Sequence, residues 1–407
     1  MTLDHDPTGT ADVRAALRSA ASGIEPSPSL AADVRRGGRA RQRRRRLTVV
    51  GTAALAAVTA IAVLGVTMGY PLIGRYAPAG PVQEDLLPGG GAGSIDGAIN
   101  LLVVGVDERA DNPDLGARAD SIIIVHIPAT HDGAYLVSLS RFTDVEIPAY
   151  PKTGYAGGRD RINAAYYHGS QNGGGRKGGF DLLAQTIRTL VPGIRFNGAA
   201  VINFDGFTAL VDTLGGVGMC VDEQVTSVHI GFDASGGYAR PFLMSPDGLI
   251  QYPIPGVTPK VYPVGCYRMQ SWEALDYVRQ RDLLADGDGE YGSQRHQQQL
   301  LKALLRQAIS TGFTDPVKLA GLLRGAGEAL TFDGGTAKLA DWIFTLRGVN
   351  PDAVVLVKTN AGHFTTAPLP DGASAELLSA TSLELLQSVR DDKVAGFVAA
   401  HPDWVSP

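Results

Sequence analysis

The sequence predicts one large α/β domain, a mostly buried sheet with helices on both faces, preceded by a single transmembrane helix. Three observations carry this. Four short runs, "NLLVVGV", "SIIIVHI", "AYLVSLS" and "GAAVINF", are continuously apolar and rich in β-branched residues, as in strands covered on both faces. Amphipathic helical segments lie between and after them, among them "FDLLAQTIRTLV" (Phe180–Val191) and "DGFTALVDTLGG" (Asp205–Gly216), the second closing on glycines as helices often do. Finally, Leu47–Tyr70, "LTVVGTAALAAVTAIAVLGVTMGY", carries no charge and would extend about 36 Å as a helix, enough to cross a bilayer.

Taken in order, residues 1–46 form a basic tail that is rich in Pro, Ser, Ala and Asp, reads as largely disordered, and ends in "RRGGRARQRRRR". Arginines crowd the N-terminal side of the apolar run, and only Arg75 lies close behind it, so the tail is expected in the cytoplasm and everything after Tyr70 outside. A cleaved signal peptide fits less well, because the preceding region is too long and the apolar run exceeds an ordinary signal core. The basic run could also suit nucleic acid, but a membrane span directly follows it, and no nucleic-acid partner is expected. Residues 71–97 are Pro/Gly-rich and read as a linker. Residues 98–405 form the extracytoplasmic domain. Its later helices are "SWEALDYV", "QRHQQQLLKALLRQAI" and "TAKLADWIFTLRG"; a late strand, Ala353–Thr359, precedes a final helical stretch from Ser379. With 407 residues, 44% hydrophobic and 19% charged, the chain can bury a sizeable core, and its net charge of −5 conceals a basic tail on an acidic remainder.

Cys220 and Cys266 are the only cysteines. Outside the membrane a disulfide is permitted, closing a loop of ~46 residues and stabilising by a few kcal/mol. Two buried free thiols are the alternative, and neither residue sits in a recognisable nucleophile context.

Several catalytic signatures are absent: there is no G-x-S-x-G elbow and no H-E-x-x-H. "NGGGRKGGF" lacks the Gly-Lys-Ser/Thr of a phosphate loop and reads as a flexible loop. "DGDGE" (Asp286–Glu290) has the wrong spacing for a calcium loop and reads as a solvated acidic loop. What remains clusters at strand ends. Asp107 and Arg109 follow the first strand, Arg118 and Asp120 precede the second, and Arg141 closes the third. Two carboxylates converging there would repel without a cation between them, and oxygen ligands favour Mg2+, with Mn2+ as the alternative. Each aspartate singly is an ordinary turn former. Arg159 and Arg161 precede a helix, and Arg279, Arg281 and Arg295 stand at later boundaries. Guanidinium forks match phosphate oxygens, so the recurrence points to a polyphosphate site.

The ordered set "NLLVVGVDER", "RADS", "SLSR", "DRINAAY", "VINFDGFTALVDTLGGV", "YVRQRD" and "QRHQQQLLKAL" resembles the LytR-CpsA-Psr family of bacterial cell-wall glycopolymer transferases. The motifs run from about Asn100 to Leu305, and the two-cysteine pattern resembles actinobacterial members. The resemblance implies a three-layer α/β/α sandwich with a central mixed sheet. It implies transfer of a glycopolymer from a polyprenyl (pyro)phosphate carrier to peptidoglycan, at the membrane, with a possible pyrophosphatase side activity. It places Asp107 and Asp120 on the magnesium-linked aspartates, Arg118, Arg141, Arg161, Arg279 and Arg281 on the pyrophosphate-binding positions, and Gln297 on the polar residue of the glutamine-rich motif. Two positions depart. Phe142 stands where the family usually has Asp, with Asp144 as the nearest substitute. Ser293 stands where it usually has Arg, with Arg295 as the nearest charge. Competing readings are an extracytoplasmic Mg-dependent polyprenyl-diphosphate pyrophosphatase and a non-catalytic lipid-diphosphate-binding regulator.

Overall fold

The computed structural model describes residues 96–108, 117–245, 250–310, 330–335 and 349–407. The basic tail, the predicted span Leu47–Tyr70, nearly all of the linker, Arg109 and the segment "TAKLADWIFTLRG" lie outside these. Among the described residues, no helix is long and apolar enough to cross a membrane.

In chain order the strands are β1 (Ile99–Val106), β2 (Ala119–Ile127), β3 (Ala134–Leu139), β4 (Asp144–Ile147), β5 (Gly158–Arg161), β6 (Gly198–Asn203), β7 (Val217–Val221), β8 (Val225–Phe232) and β9 (Tyr238–Ala239). They continue with β10 (Phe242–Met244), β11 (Ile250–Pro253), β12 (Thr258–Tyr262), β13 (Gly265–Met269), β14 (Leu330–Asp333), β15 (Val354–Lys358), β16 (Thr366–Pro368) and β17 (Ser374–Glu376). The helices are α1 (Ile162–Ser170), α2 (Gly175–Leu190), α3 (Phe204–Thr213), α4 (Ser271–Arg279), α5 (Glu290–Ser310), α6 (Ala380–Arg390) and α7 (Val394–Ala400).

Six strands form the central sheet in the order β14-β6-β1-β2-β3-β15. β1 is antiparallel to β2 and parallel to β6, while β3 is antiparallel to β2 and parallel to β15, so the sheet is mixed, as expected. Period-two alternation sends apolar side chains to both faces. Leu102, Val104, Ile122, Ile124 and Val137 pack with residues of α1, α2, α6 and α7. Ile99, Leu101, Ile123, Val125 and Leu136 pack on the opposite face, with Leu305 of α5. Helices on both faces explain why the strand runs are continuously apolar rather than alternating.

"NGGGRKGGF" is not a flexible loop throughout: from Gly175 onward it forms the first turns of α2. The glycines permit a close helix crossing. A Cβ on Gly178 would lie 2.2 Å from the Gly169 carbonyl oxygen of α1, a distance no side chain tolerates. On the other face, the Gln298 amide of α5 reaches the Leu136 carbonyl (2.8 Å), the Ser138 hydroxyl (2.8 Å) and the Val357 carbonyl (3.0 Å), tying the helix to β3 and β15. A smaller lobe is built on β7, β8, β12, β13, α3 and α4 around Leu210, Val217, Tyr262 and Tyr277. There, Cys220 and Cys266 face each other across β7 and β13 and are joined as a disulfide, which settles the choice the sequence left open.

The register decides where chemistry can gather. Val106 pairs with Asn203 and Ala119, and Leu139 pairs with Ile122. The ends of β1, β3 and β6 and the start of β2 therefore share one edge of the sheet. Such an edge, outside the carboxyl ends of parallel strands, is where open α/β sheets bind ligands.

Candidate functional site

Asp107, Arg118, Asp120, Arg141 and Phe204 all leave the sheet at that edge. The Asp107 backbone N–H donates to the Arg118 carbonyl (3.1 Å), closing the β1–β2 connection so that both aspartates emerge from adjacent strand ends. Arg141 Nη1 donates to Asp120 Oδ1 at 2.7 Å, and Arg141 Nε lies 3.4 Å from Glu290 Oε2 at the start of α5. The same carboxylate oxygen is 3.8 Å from Arg281 Nη1. Asp120, Arg141, Glu290 and Arg281 thus form one continuous charged chain linking two strands, the α4 exit and the α5 entry.

Glu290 carries the largest perturbation there. Burial is the main cause, opposed by Arg141 and reinforced by Asp120 and Glu376, and together these push its carboxyl up to about 7. Glu376 is fully buried, accepts from the Tyr291 hydroxyl and from Asn360 Nδ2 (2.8 Å), and is likewise raised by burial.

Aromatic rings hold the remaining arginines. Arg141 and Arg161 approach the Phe142 ring at 4.4 and 4.9 Å from its centroid. Arg118 sits over Tyr167 at 5.2 Å, and Arg279 over Phe204 at 4.5 Å. Arg161 Nε also donates to the Ser374 carbonyl (2.8 Å). Among the described residues, no carboxylate lies within ion-pair distance of Arg118, Arg161 or Arg279. A ring orients a guanidinium by its quadrupole without cancelling its charge.

The Arg279–Arg281 segment is fixed from beneath. Helix α4 ends at Arg279, and Gln280 is extended (φ −73°, ψ 136°). The Gln280 side chain is wholly buried: its Oε1 accepts from the Val228 N–H (2.9 Å), while its Nε2 reaches Asp276 Oδ1 (2.8 Å) and the Ser227 hydroxyl (3.2 Å). With Gln280 anchored inward, both flanking arginines stay half-exposed.

With this geometry in place, comparison with known proteins is decisive. The LytR_cpsA_psr family model matches residues 83–369. The chain belongs to the LytR-CpsA-Psr family. It is 27% identical over 234 residues to the polyisoprenyl-teichoic acid–peptidoglycan teichoic acid transferase TagU of Halalkalibacterium halodurans, covering 58% of this chain and 60% of that protein. It is 24% identical over 324 residues to the cell wall biosynthesis protein LcpA of Corynebacterium glutamicum, covering 69% and 54%. The chain therefore spans between about half and three-fifths of the length of these relatives. In fold it is similar to a Streptococcus agalactiae protein (TM-score 0.53, 19% identity, 74% of this chain and 88% of that one) and to Bacillus subtilis TagV (TM-score 0.50, 19% identity, 74% and 99%).

Within this LytR-CpsA-Psr domain, the two departures take forms the sequence did not suggest. Asp144 does not stand in beside Arg141. Its backbone pairs with Arg161 in the β4–β5 register, but its side chain reaches diagonally to Arg159, whose Nε lies 2.8 Å from its Oδ1. Arg295 does not join the charged chain either: it is buried, with Nε 2.9 Å from Asp222, Nη1 2.6 Å from Asp288, Nη2 bonded to Glu223, and Asp286 at 3.5 Å. Four carboxylates surround its guanidinium, which ties β7, the acidic loop and α5 together. The "DGDGE" loop is correspondingly a partner of Arg295 and not merely solvated. Ser293 bonds the Val278 carbonyl (3.0 Å), and Gln297 Nε2 lies 3.3 Å from Ser293 Oγ and 3.5 Å from that carbonyl, so this pair braces the α4 exit. Sequence reading missed Glu290, Gln280 and the aromatic supports. The adjacency of Arg141 and Phe142 was the one legible signal for the last.

Proposed function

We propose that the chain transfers a glycopolymer from a polyprenyl (pyro)phosphate carrier to peptidoglycan at the outer face of the membrane, leaving a phosphodiester link. The observation that carries this reading is the chain of contacts from Asp120 through Arg141 and Glu290 to Arg281 at the binding edge of the sheet, flanked by ring-held arginines with no carboxylate partner among the described residues. The names of TagU and its kin, teichoic acid transferases acting from a polyisoprenyl carrier, agree with it.

In this reading a peptidoglycan hydroxyl attacks the sugar-bearing phosphorus, the P–O bond to the polyprenyl phosphate breaks, and polyprenyl phosphate leaves, with the hydroxyl proton passing to the leaving phosphate or to solvent. Such transfers depend chiefly on positioning and charge neutralisation. Arg141 and Arg281 orient the diphosphate and stabilise charge on the transferring group, while Arg118, Arg161 and Arg279 supply further guanidiniums around it. Asp107 and Asp120 would hold the expected Mg2+. The donor set fits, because magnesium takes one or two carboxylates and completes its shell with water and substrate phosphates. Among the described residues no group of three or more metal-ligating side chains encloses a site, so substrate oxygens are needed to complete one. When bound, the ion would screen the diphosphate charge.

The test is to give the full chain, in detergent with Mg2+, a polyprenyl-diphosphate-linked glycan with and without peptidoglycan. Phosphate-linked glycan on the wall polymer is the expected product. Release of glycan phosphate that peptidoglycan never captures would instead favour a pyrophosphatase, and no turnover at all would favour a binding protein.

A further inference from the structure

Among the described residues, some arginines are held by carboxylates and others by aromatic rings. Arg159, Arg176, Arg295, Arg306 and Arg390 each lie against a carboxylate, with closest N···O distances of 2.9 Å or less. Arg118, Arg161 and Arg279 lie against rings and, among the described residues, against no carboxylate. Arg141 has both kinds of partner. Arg118, Arg161 and Arg279 lie at the strand ends, the α1 entry and the α4 exit, whereas Arg188, also against a ring (Phe196, 5.7 Å), lies in the last turn of α2. Carboxylate-held arginines occur near the same edge too: Arg176 pairs with Glu108 just past β1, and Arg159 shares β5 with Arg161.

Phe142 is the most informative of these rings because two guanidiniums share it. Arg141 arrives as its chain neighbour, which any sequence would bring close. Arg161 arrives from β5 and has no such excuse. Its side chain also donates to the Ser374 carbonyl, which sits on a hairpin docked to Phe142 itself: the Glu376 N–H donates to the Phe142 carbonyl (2.7 Å), and Thr143 bridges Glu376. The ring is braced edge-to-face by Phe364, with centroids 6.1 Å apart and planes at 88°. Two like charges drawn to one ring repel each other, so the arrangement costs the empty protein energy and becomes favourable once an anion lies between or beside them. A carboxylate at this position, as the family usually has, would hold the same two arginines by neutralising them instead.

We propose that Phe142 is a positioning residue for the anion site, holding Arg161 beside Arg141 so that the Arg161 charge is available to a diphosphate. The inference rests on the functional reading above, and specifically on the diphosphate being the ligand of this edge. It assigns no chemical step to Phe142, which touches the arginines and not the reacting atoms.

The test uses the full chain in detergent and inorganic pyrophosphate as the probe, titrated with and without Mg2+ at fixed ionic strength, with melting temperatures measured alongside. Phe142→Leu keeps an apolar side chain of similar bulk and removes the quadrupole. It is expected to weaken pyrophosphate binding by about tenfold while the melting temperature stays within a few degrees, two weak cation–π contacts being of about that size. Phe142→Tyr is expected to restore binding to within about twofold, and Phe142→Asp to weaken it further than Phe142→Leu. In a transfer assay the losses fall on KM for the lipid-linked donor more than on kcat. If Phe142→Leu binds like the wild type while Arg161→Ala and Arg141→Ala bind poorly, the anion site stands and the role of Phe142 is wrong. If Phe142→Asp binds as well as the wild type, the charge argument is wrong. If the wild type itself fails to bind pyrophosphate, both this inference and the diphosphate reading fail.

Discussion

Arg281 and Arg295 are separated by a single short loop, yet they inhabit opposite electrostatic regimes. Arg295 is buried among Asp222, Glu223, Asp286 and Asp288, with His296 also 3.3 Å from Glu223. Its charge is spent on holding β7, the acidic loop and α5 together. Arg281 is half-exposed, with one distant carboxylate at 3.8 Å, and its neighbours Arg279 and Arg161 rest on rings. The contrast shows that an arginine's partners, more than its presence, set what it can do: buried and fully countered charge ties the lobe together, while the less countered, half-exposed charge of Arg281 is what the proposed anion site would use.

The largest expected effect breaks the structural side. Arg295→Ala leaves the buried Glu223 without its guanidinium partner and should cost about 3 kcal/mol of stability, read by denaturant titration. The folded fraction should still bind pyrophosphate with unchanged affinity, since this arginine touches none of the anion site. Next comes removal of an oriented donor from the other side. Arg141→Ala should lower the transfer rate by about 10²–10³-fold with little change in unfolding midpoint, in line with the loss of a preorganised charge-stabilising group. A comparable loss of stability in Arg141→Ala would erase the distinction between the two regions.

Opening the Cys220–Cys266 link should be felt only by the lobe that holds Arg295, because β7 leads directly into Asp222 and Glu223. For a sequence separation of 46, chain entropy gives about 4 kcal/mol as the upper end of the expected destabilisation of Cys220→Ser with Cys266→Ser. Pyrophosphate affinity at low temperature should persist.

The smallest effect concerns pH. Burial raises the Glu290 carboxyl to about 7, so it is mostly neutral at pH 6 and ionised at pH 8. Neutral Glu290 leaves Arg141 and Arg281 less countered, and pyrophosphate should bind a few-fold more tightly at pH 6 than at pH 8. Glu290→Gln should flatten that profile. The linkage to folding has the same sign. A carboxyl whose folded pKa is raised contributes stability that is fully present below its unfolded value and is lost as pH rises through 7.

Much of this was legible in the chain itself. Continuous apolar runs marked the core strands, and their ends placed Asp107, Asp120 and Arg141 at one edge of the sheet, because a strand's end is a local property. Arg279 and Arg281 also behave as the sequence suggested, leaving the helix at an extended Gln280. What stayed hidden depends on contacts between distant segments. Nothing local distinguishes Arg295 from Arg281 until Asp222, Glu223 and the "DGDGE" loop fold around it. Gln297 and Gln298 are adjacent and chemically identical, yet one borders the α4 exit and the other is buried against β3 and β15. The short strands of the smaller lobe were missed because their alternation is weak and their surfaces are largely exposed. The predicted membrane span lies outside the described residues.

The central claim is spatial: a lipid-linked diphosphate binds at the sheet edge formed by Asp120, Arg141, Arg161 and Arg281. Its most direct test is a crystal structure of the protein soaked with farnesyl diphosphate and Mg2+. The account predicts diphosphate oxygens within hydrogen-bonding distance of Arg141 and Arg281, with Arg161 still against Phe142 and Arg295 untouched among its carboxylates. A diphosphate bound elsewhere, with Arg141 and Arg281 retaining only their contacts to Asp120 and Glu290, would contradict it.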